Sequence, residues 1–315
     1  MKVKSILVFL SLFAFSILSS QVRMDTVIAI NGDGIFSLLR KSGINPVKYY
    51  EGFYKLNEKD IRNGSELIVG KKYLLPEAPD SFKNMGVRIA VDENKEKAIF
   101  DKELPKFALK DSTLKNTVYY LMYSNNLKGK DISESSNNFI IRLAKELLIR
   151  SAKVYILEDD SEENGLKIDG EYKNFQKSEL GKYTGIINKK YLMNSGNYQR
   201  LIVLQEFNKS NKNYALTVQH HSPSKEGQML AGSLQDIFRK NAVRRTTTKK
   251  GISSFEDETS IYLAKNVLPT VTTISLDSRK KALENGIEVK PGRTYLAKMI
   301  TNGILNDYSN NNFSD

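Results

Sequence analysis

From residue 116 onward, strand-like and helix-like hydrophobic patterns alternate, and this alternation constrains the fold more than any other feature of the chain. Residues 118–123, 154–157, 201–204, 214–218 and 271–274 are short runs rich in β-branched, aliphatic and aromatic side chains. Between them, Phe139, Ile140, Leu143, Ala144, Leu147 and Leu148 recur at helical spacing. Leu230, Leu234, Ile237 and Phe238 do the same, as do Tyr295, Leu296, Met299, Ile300 and Ile304. Strands apolar along their whole length need cover on both faces, and intervening helices supply it. The pattern predicts an α/β fold, a layered sheet flanked by helices.

A smaller module precedes it. Residues 27–30 are strand-like, and Asn31-Gly32-Asp33-Gly34 forms a turn able to start a helix. Ile35, Leu38, Leu39 and Ile44 follow at helical spacing, with Gly43 as a stop. A second helical stretch covers 46–56, and residues 67–76 close with strand-like character. The order strand, helix, helix, strand predicts a small α+β domain over 27–76. Glu77-Ala78-Pro79-Asp80 marks its boundary. Residues 77–115 read as a linker carrying short strands at 87–91 and 98–100, and 116–315 as the main domain.

Composition narrows the chemistry. The chain has no Cys and two His, neighbours at 220 and 221. Disulfides, a cysteine nucleophile and thiolate metal sites are excluded. A site needing two well-separated imidazoles cannot be built within one chain. Lys and Arg outnumber Asp and Glu 48 to 36, a net charge of +12.

The N-terminus sets the context for that charge. Lys2 and Lys4 precede an apolar run from Ile6 to Leu18, followed by Ser19, Ser20 and Gln21. This reads as a signal peptide over 1–20, too short for a comfortable membrane span. The expectation is a periplasmic or secreted protein that is not integral to the membrane. Its positive charge then meets anionic envelope polymers rather than nucleic acid.

Two resemblances follow. The run I-N-G-D-G-I-F-S-L-L-R-K-S-G, the Asn at 57 and L-I-V-G-K-K-Y-L-L-P resemble a lysin motif (LysM) domain. That likeness implies binding of N-acetylglucosamine polymers such as peptidoglycan, with Asp33, Gly34 and Asn57 as glycan-binding positions. Residues 116–308 resemble the zinc-dependent N-acetylmuramoyl-L-alanine amidases in their LysM-bearing Bacteroidetes-type form. The pieces that carry this are Y-Y-L-M, R-L-A-K-E-L-L, A-K-V-Y-I-L, Y-Q-R-L-I-V-L, H-H-S-P-S-K-E-G-Q-M-L-A-G-S-L-Q, Y-L-A-K-N-V-L-P-T-V and A-K-M-I-T-N-G-I, in that order.

Zinc-assisted amide cleavage needs about three protein ligands, an open position for water and a carboxylate beside it. The amidase resemblance places its first His ligand at Asn125, its Glu ligand at Glu134, its second His at Gln205 and its catalytic Glu at Ile274. Only Glu134 is kept. Asn and Gln are poor zinc ligands, and Ile moves no proton. The implied protein is a non-catalytic relative, acting in glycan binding or in regulation of a cell-wall enzyme, with no cofactor. The alternative is an active amidase with zinc in an unusual site built from Glu134 and His220 or His221.

Two lesser features complete the inventory. Residues 158–165 hold five carboxylates and a Gly but lack the spacing of a calcium loop, and read as a solvated acidic loop. Arg244-Arg245 and Lys249-Lys250 flank three threonines and read as an exposed loop.

Overall fold

A computed structural model describes residues 24–91, 94–100, 103–123, 134–158, 172–207, 213–244, 250–290 and 292–312, with backbone only at 134–137, 172–179, 207, 280, 281, 311 and 312. The signal-peptide segment, Asn125, the acidic loop beyond residue 158 and residues 245–249 lie outside the described residues. The chain forms two compact units, Met1–Pro79 and Asp80–Asp315.

In the smaller unit, β1 (Thr26–Ile28) pairs antiparallel with β2 (Lys72–Leu74), Val27 opposite Tyr73. Between them run α1 (Ile35–Lys41) and α2 (Pro46–Asn57). The Asn45 side chain accepts hydrogen bonds from the Val47 and Lys48 amides at 3.0 and 3.2 Å, and Pro46 opens the first turn of α2. Both features suit a helix start. Leu38, Leu39, Phe53 and Tyr73 are fully buried and form the centre of a small core.

The larger unit is built on one sheet. Its strands are β3 (Gly86–Ala90), β4 (Lys95–Ala98), β5 (Thr117–Tyr123), β6 (Lys153–Glu158), β7 (Tyr198–Phe207), β8 (Tyr214–His220), β9 (Ile252–Ser254), β10 (Thr270–Asp277) and β11 (Ile287–Val289). β10, β7, β5, β6 and β3 lie side by side in that order and run parallel. β8 joins β10 and β4 joins β3, both antiparallel. β11 and β9 share the outer edge of β8, the first against residues 214–216 and the second against 218–220.

The helices, numbered on from α3 (Phe82–Met85), are α4 (Glu134–Leu148), α5 (Tyr172–Met193), α6 (Lys225–Lys240), α7 (Glu258–Asn266), α8 (Lys280–Asn285) and α9 (Arg293–Asn312). One face of the sheet packs the apolar stripes of α4, α6 and α9, through Phe139, Leu143, Leu230, Leu234, Leu296 and Ile300. The other packs α5 and α7, through Leu180, Tyr183, Ile187 and Leu263. A Cβ on Gly303 of α9 would lie 2.9 Å from the Leu234 Cα, so α6 and α9 approach as closely as they do only because that position carries no side chain.

Residues 80–115 correct the linker expectation. They belong to the larger unit: β3 and β4 extend its sheet, and Ile99, Phe100, Leu104 and Phe107 are buried in its core. The second strand there is 95–98, not 98–100. It escaped the hydrophobic pattern because Lys95-Glu96-Lys97 is charged, as befits a strand at a sheet edge.

Candidate functional site

The chain leaves β5 for β6 on one side of it, then returns to β7 on the other. The carboxyl ends of β5 and β7 therefore part at a switch point, where open α/β sheets leave a crevice for ligands. Side chains alternate between faces along a strand. On β7, Ile202 and Leu204 pack with α4, α6 and α9, whereas Leu201 and Val203 pack with α5 and α7. Glu206 therefore ends β7 on the first face and Gln205 stands on the second.

Glu206 does not face an open site. Its side chain is 4% exposed and is held by Arg293, with Nη2 donating to Oε1 at 2.7 Å and Nη1 to Oε2 at 3.5 Å. Arg293 is the first residue of α9. Gly292 before it has φ +147°, a conformation L side chains rarely adopt, and its carbonyl accepts the Leu296 amide. The Arg142 guanidinium on α4 donates to Thr294 Oγ1 at 2.9 Å and fixes the same helix start.

Two phenols flank this pair. Tyr123 ends β5 and is buried; desolvation, then the Glu206 charge, push its pKa well above the usual phenol value, with Arg293 pulling the other way. Tyr214 starts β8 and is raised by the same causes in the same order. Both phenols stay protonated at neutral pH and act as hydrogen-bonding groups, not as nucleophiles.

The residues singled out from the sequence are scattered around this edge. Ile274 is fully buried in the middle of β10, opposite Leu204 and Val218, inside the core. Gln205 accepts a hydrogen bond from Ser275 Oγ at 2.8 Å on the opposite face. Glu134 opens α4, and its side chain is outside the described residues, as is Asn125. His220 closes the antiparallel β8 level with Thr272 and Ile202, four residues and roughly 13 Å along the sheet from the level of Glu206. Its Nδ1 lies 3.1 Å from the His221 carbonyl, and it is 7% exposed. The far end of α4 lies over this same edge, since Leu148 meets Gly86 at the start of β3. The backbone of Glu134 opens the helix at its other end.

Among the described residues no group of three or more His, Cys, Asp or Glu is arranged to hold a metal. Among the described residues the switch point does not fit zinc: the Glu206 carboxylate is engaged by a guanidinium, and the neighbouring strand carries a buried Ile at 274.

No protein-family model matches the chain, and no curated protein does. Solved structures align over its larger part. The catalytic domain of an endolysin targeting Clostridia difficile is 15% identical, covering 60% of this chain and 97% of its own, with a TM-score of 0.38. The N-acetylmuramyl-L-alanine amidase of Mycobacterium smegmatis is 10% identical, covering 62% and 99%, at 0.40. The N-acetylmuramoyl-L-alanine amidase of Clostridium difficile 630 is 13% identical, covering 64% and 100%, at 0.36.

In the smaller unit, two of the three positions that the LysM resemblance implies for glycan turn inward. Asn57 is 4% exposed; its Nδ2 donates to the Phe53 and Leu74 carbonyls and its Oδ1 accepts the Leu74 amide, all at 2.8 Å. It braces α2 to β2 and leaves nothing for a sugar. The Asp33 carboxylate is 4% exposed and accepts hydrogen bonds from the Ile30 amide at 2.9 Å, from Ser37 Oγ at 2.7 Å and from Lys41. Gly34 caps α1 and is exposed.

Burial alone would raise the Asp33 carboxyl, but the bonds from Lys41, Ile30 and Ser37 outweigh it and hold the pKa below the usual carboxylate value. A depressed folded-state pKa stabilises above the unfolded value, near 3.9, and that contribution is lost as pH falls through the folded one. Asp33→Asn is therefore expected to flatten the acid limb of the smaller unit's stability, read by circular dichroism against pH. An unchanged acid midpoint would show that Asp33 does not contribute.

Proposed function

We propose that this chain is an exported, peptidoglycan-directed protein that binds cell-wall glycan, or regulates an enzyme remodelling it, without cleaving the amide itself. The observation that carries the reading is the Glu206–Arg293 pair closing the switch point of an α/β sheet of amidase-like sequence pattern. A hydrolytic site there needs open ligand positions and a free carboxylate. The sequence signals for export and for a LysM-like module support a cell-wall destination. Among the described residues no helix is long and apolar enough to cross a membrane.

The LysM-like unit supplies a surface suited to sugar rings. Ile30 and Val69 are 57% and 62% exposed. Ile30 and Val69 sit on two loops joined by the Gly70 amide bonding to the Ala29 carbonyl at 2.8 Å. Exposed apolar side chains grouped this way on a small unit mark a binding surface, and pyranose C–H faces pack on such groups.

Sedimentation with purified, insoluble peptidoglycan tests this. The protein from residue 21 on is expected to sediment with it, and Ile30→Ser with Val69→Ser to weaken the association about tenfold, as loss of two apolar anchors implies. A protein that stays in the supernatant, or binding indifferent to both substitutions, removes the glycan part of the proposal.

A further inference from the structure

Away from the switch point, the larger unit has a recess of about 350 Å³ on the α5 side of β3, β4 and β6. Its lining includes Lys83, Lys97, Lys153 and Lys190 against a single carboxylate, Glu96. Lys190, on α5, is 7% exposed. Its ammonium is 2.6 Å from Glu96 Oε1 and 5.3 Å from the centroid of the Tyr155 ring. The Lys153 ammonium is 5.5 Å from the centroid of that same ring.

The floor is rigid. Tyr155 is buried, stacks on Tyr120 with ring planes 11° apart, and accepts a hydrogen bond from Asn194 Nδ2 at 3.3 Å. Two ammonium groups are thus gathered at one fixed aromatic face, which attracts cations by its quadrupole. One of them is almost wholly desolvated, a costly state that a counterion relieves. Glu96 supplies one negative charge, and its side chain is 46% exposed. The lining remains strongly positive.

We propose that this recess is a binding site for a phosphate-bearing ligand. Lysines act as point charges and suit the tetrahedral, multiply charged phosphoryl group, whereas planar carboxylates favour the guanidinium fork that this recess lacks. The volume exceeds one phosphate ion and accommodates a phosphorylated sugar or glycerol unit. Glu96 occupies the position of the ligand's charge and is displaced on binding.

The two sources of such a group, a soluble phosphate ester and a lipid headgroup, are separated by two probes. Calorimetric titration with glycerol 3-phosphate, and sedimentation with phosphatidylglycerol against phosphatidylcholine vesicles, are each run on the full chain from residue 21. Saturable binding to either anionic probe is expected, weakening with added salt. The double variant Lys83→Gln, Lys153→Gln is expected to bind about tenfold more weakly, as loss of charge-assisted hydrogen bonds implies. Glu96→Gln, which removes the competing carboxylate, is expected to tighten binding about threefold. The same charge change made away from the recess, Lys59→Gln with Lys115→Gln, is expected to leave binding unchanged, which distinguishes a built site from the general positive charge of the chain; equal weakening by both pairs overturns the proposal. Absence of binding to both probes overturns the proposal, as does binding that neither variant changes. Failure here leaves the peptidoglycan reading untouched, since the recess shares no residue with the surface tested there.

Discussion

Replacing Arg293 by Met is expected to destabilise the larger unit by about 3–5 kcal/mol, the range seen when one partner of a buried ion pair is removed. The reason is asymmetric. Arg293 is a quarter exposed, but its partner Glu206 is 4% exposed and is left as a desolvated charge. The double replacement Arg293→Met, Glu206→Leu removes both charges and is expected to recover most of the loss, because the Leu enters a face already packed with Leu204 and Leu216. Urea denaturation followed by circular dichroism measures both. A single variant within about 0.5 kcal/mol of the parent, the scatter of ordinary surface substitutions, would mean that the pair does not organise the strand edge.

The second large effect falls on the smaller unit. Asn57→Leu is expected to cost about 2–4 kcal/mol, because it deletes three hydrogen bonds and leaves the Phe53 carbonyl and the Leu74 amide and carbonyl without these partners. A unit of this size buries too little surface to absorb such a loss. Two-dimensional amide spectra should show the resonances of residues 26–75 collapsing toward unfolded positions while those of residues 117–307 keep their dispersion. Retained dispersion in the first set would mean that the Asn57 bonds do not hold the unit together.

The layered α/β architecture was legible in the sequence because its central strands are apolar on both faces and its helices α4 and α6 carry clean apolar stripes. Helix α5 was not. Its buried residues Leu180, Tyr183 and Ile187 are diluted by Gly181, Gly185 and polar neighbours, so no stripe stands out. β3 and β4 were misassigned to a linker because β3 owes its place to β6, some seventy residues away, and a pairing at that distance leaves no local mark. At the site, the residues singled out from the sequence were Ile274, which lies buried in the core of the sheet, and Gln205, which bonds to Ser275 on the face opposite Glu206. Glu206 was legible by alternation, since counting by twos from buried Ile202 and Leu204 reaches it on the same face. Arg293 carried no sequence signal, since a helix-opening Arg is ordinary until the strand end it meets is known. Asn57 and Asp33 were found as special positions, but their bonding shows them serving the scaffold of the unit.

The most direct test of the central claim is a combined measurement on the purified chain from residue 21. Zinc content is determined by mass spectrometry after dialysis against zinc and then against metal-free buffer, and release of L-alanine amino termini from peptidoglycan is followed in the same sample. The account predicts less than about 0.1 zinc per chain, as expected where three open ligands are not assembled, and no release above a buffer control. One zinc per chain together with release of peptide stems would contradict it and return the protein to the working amidases.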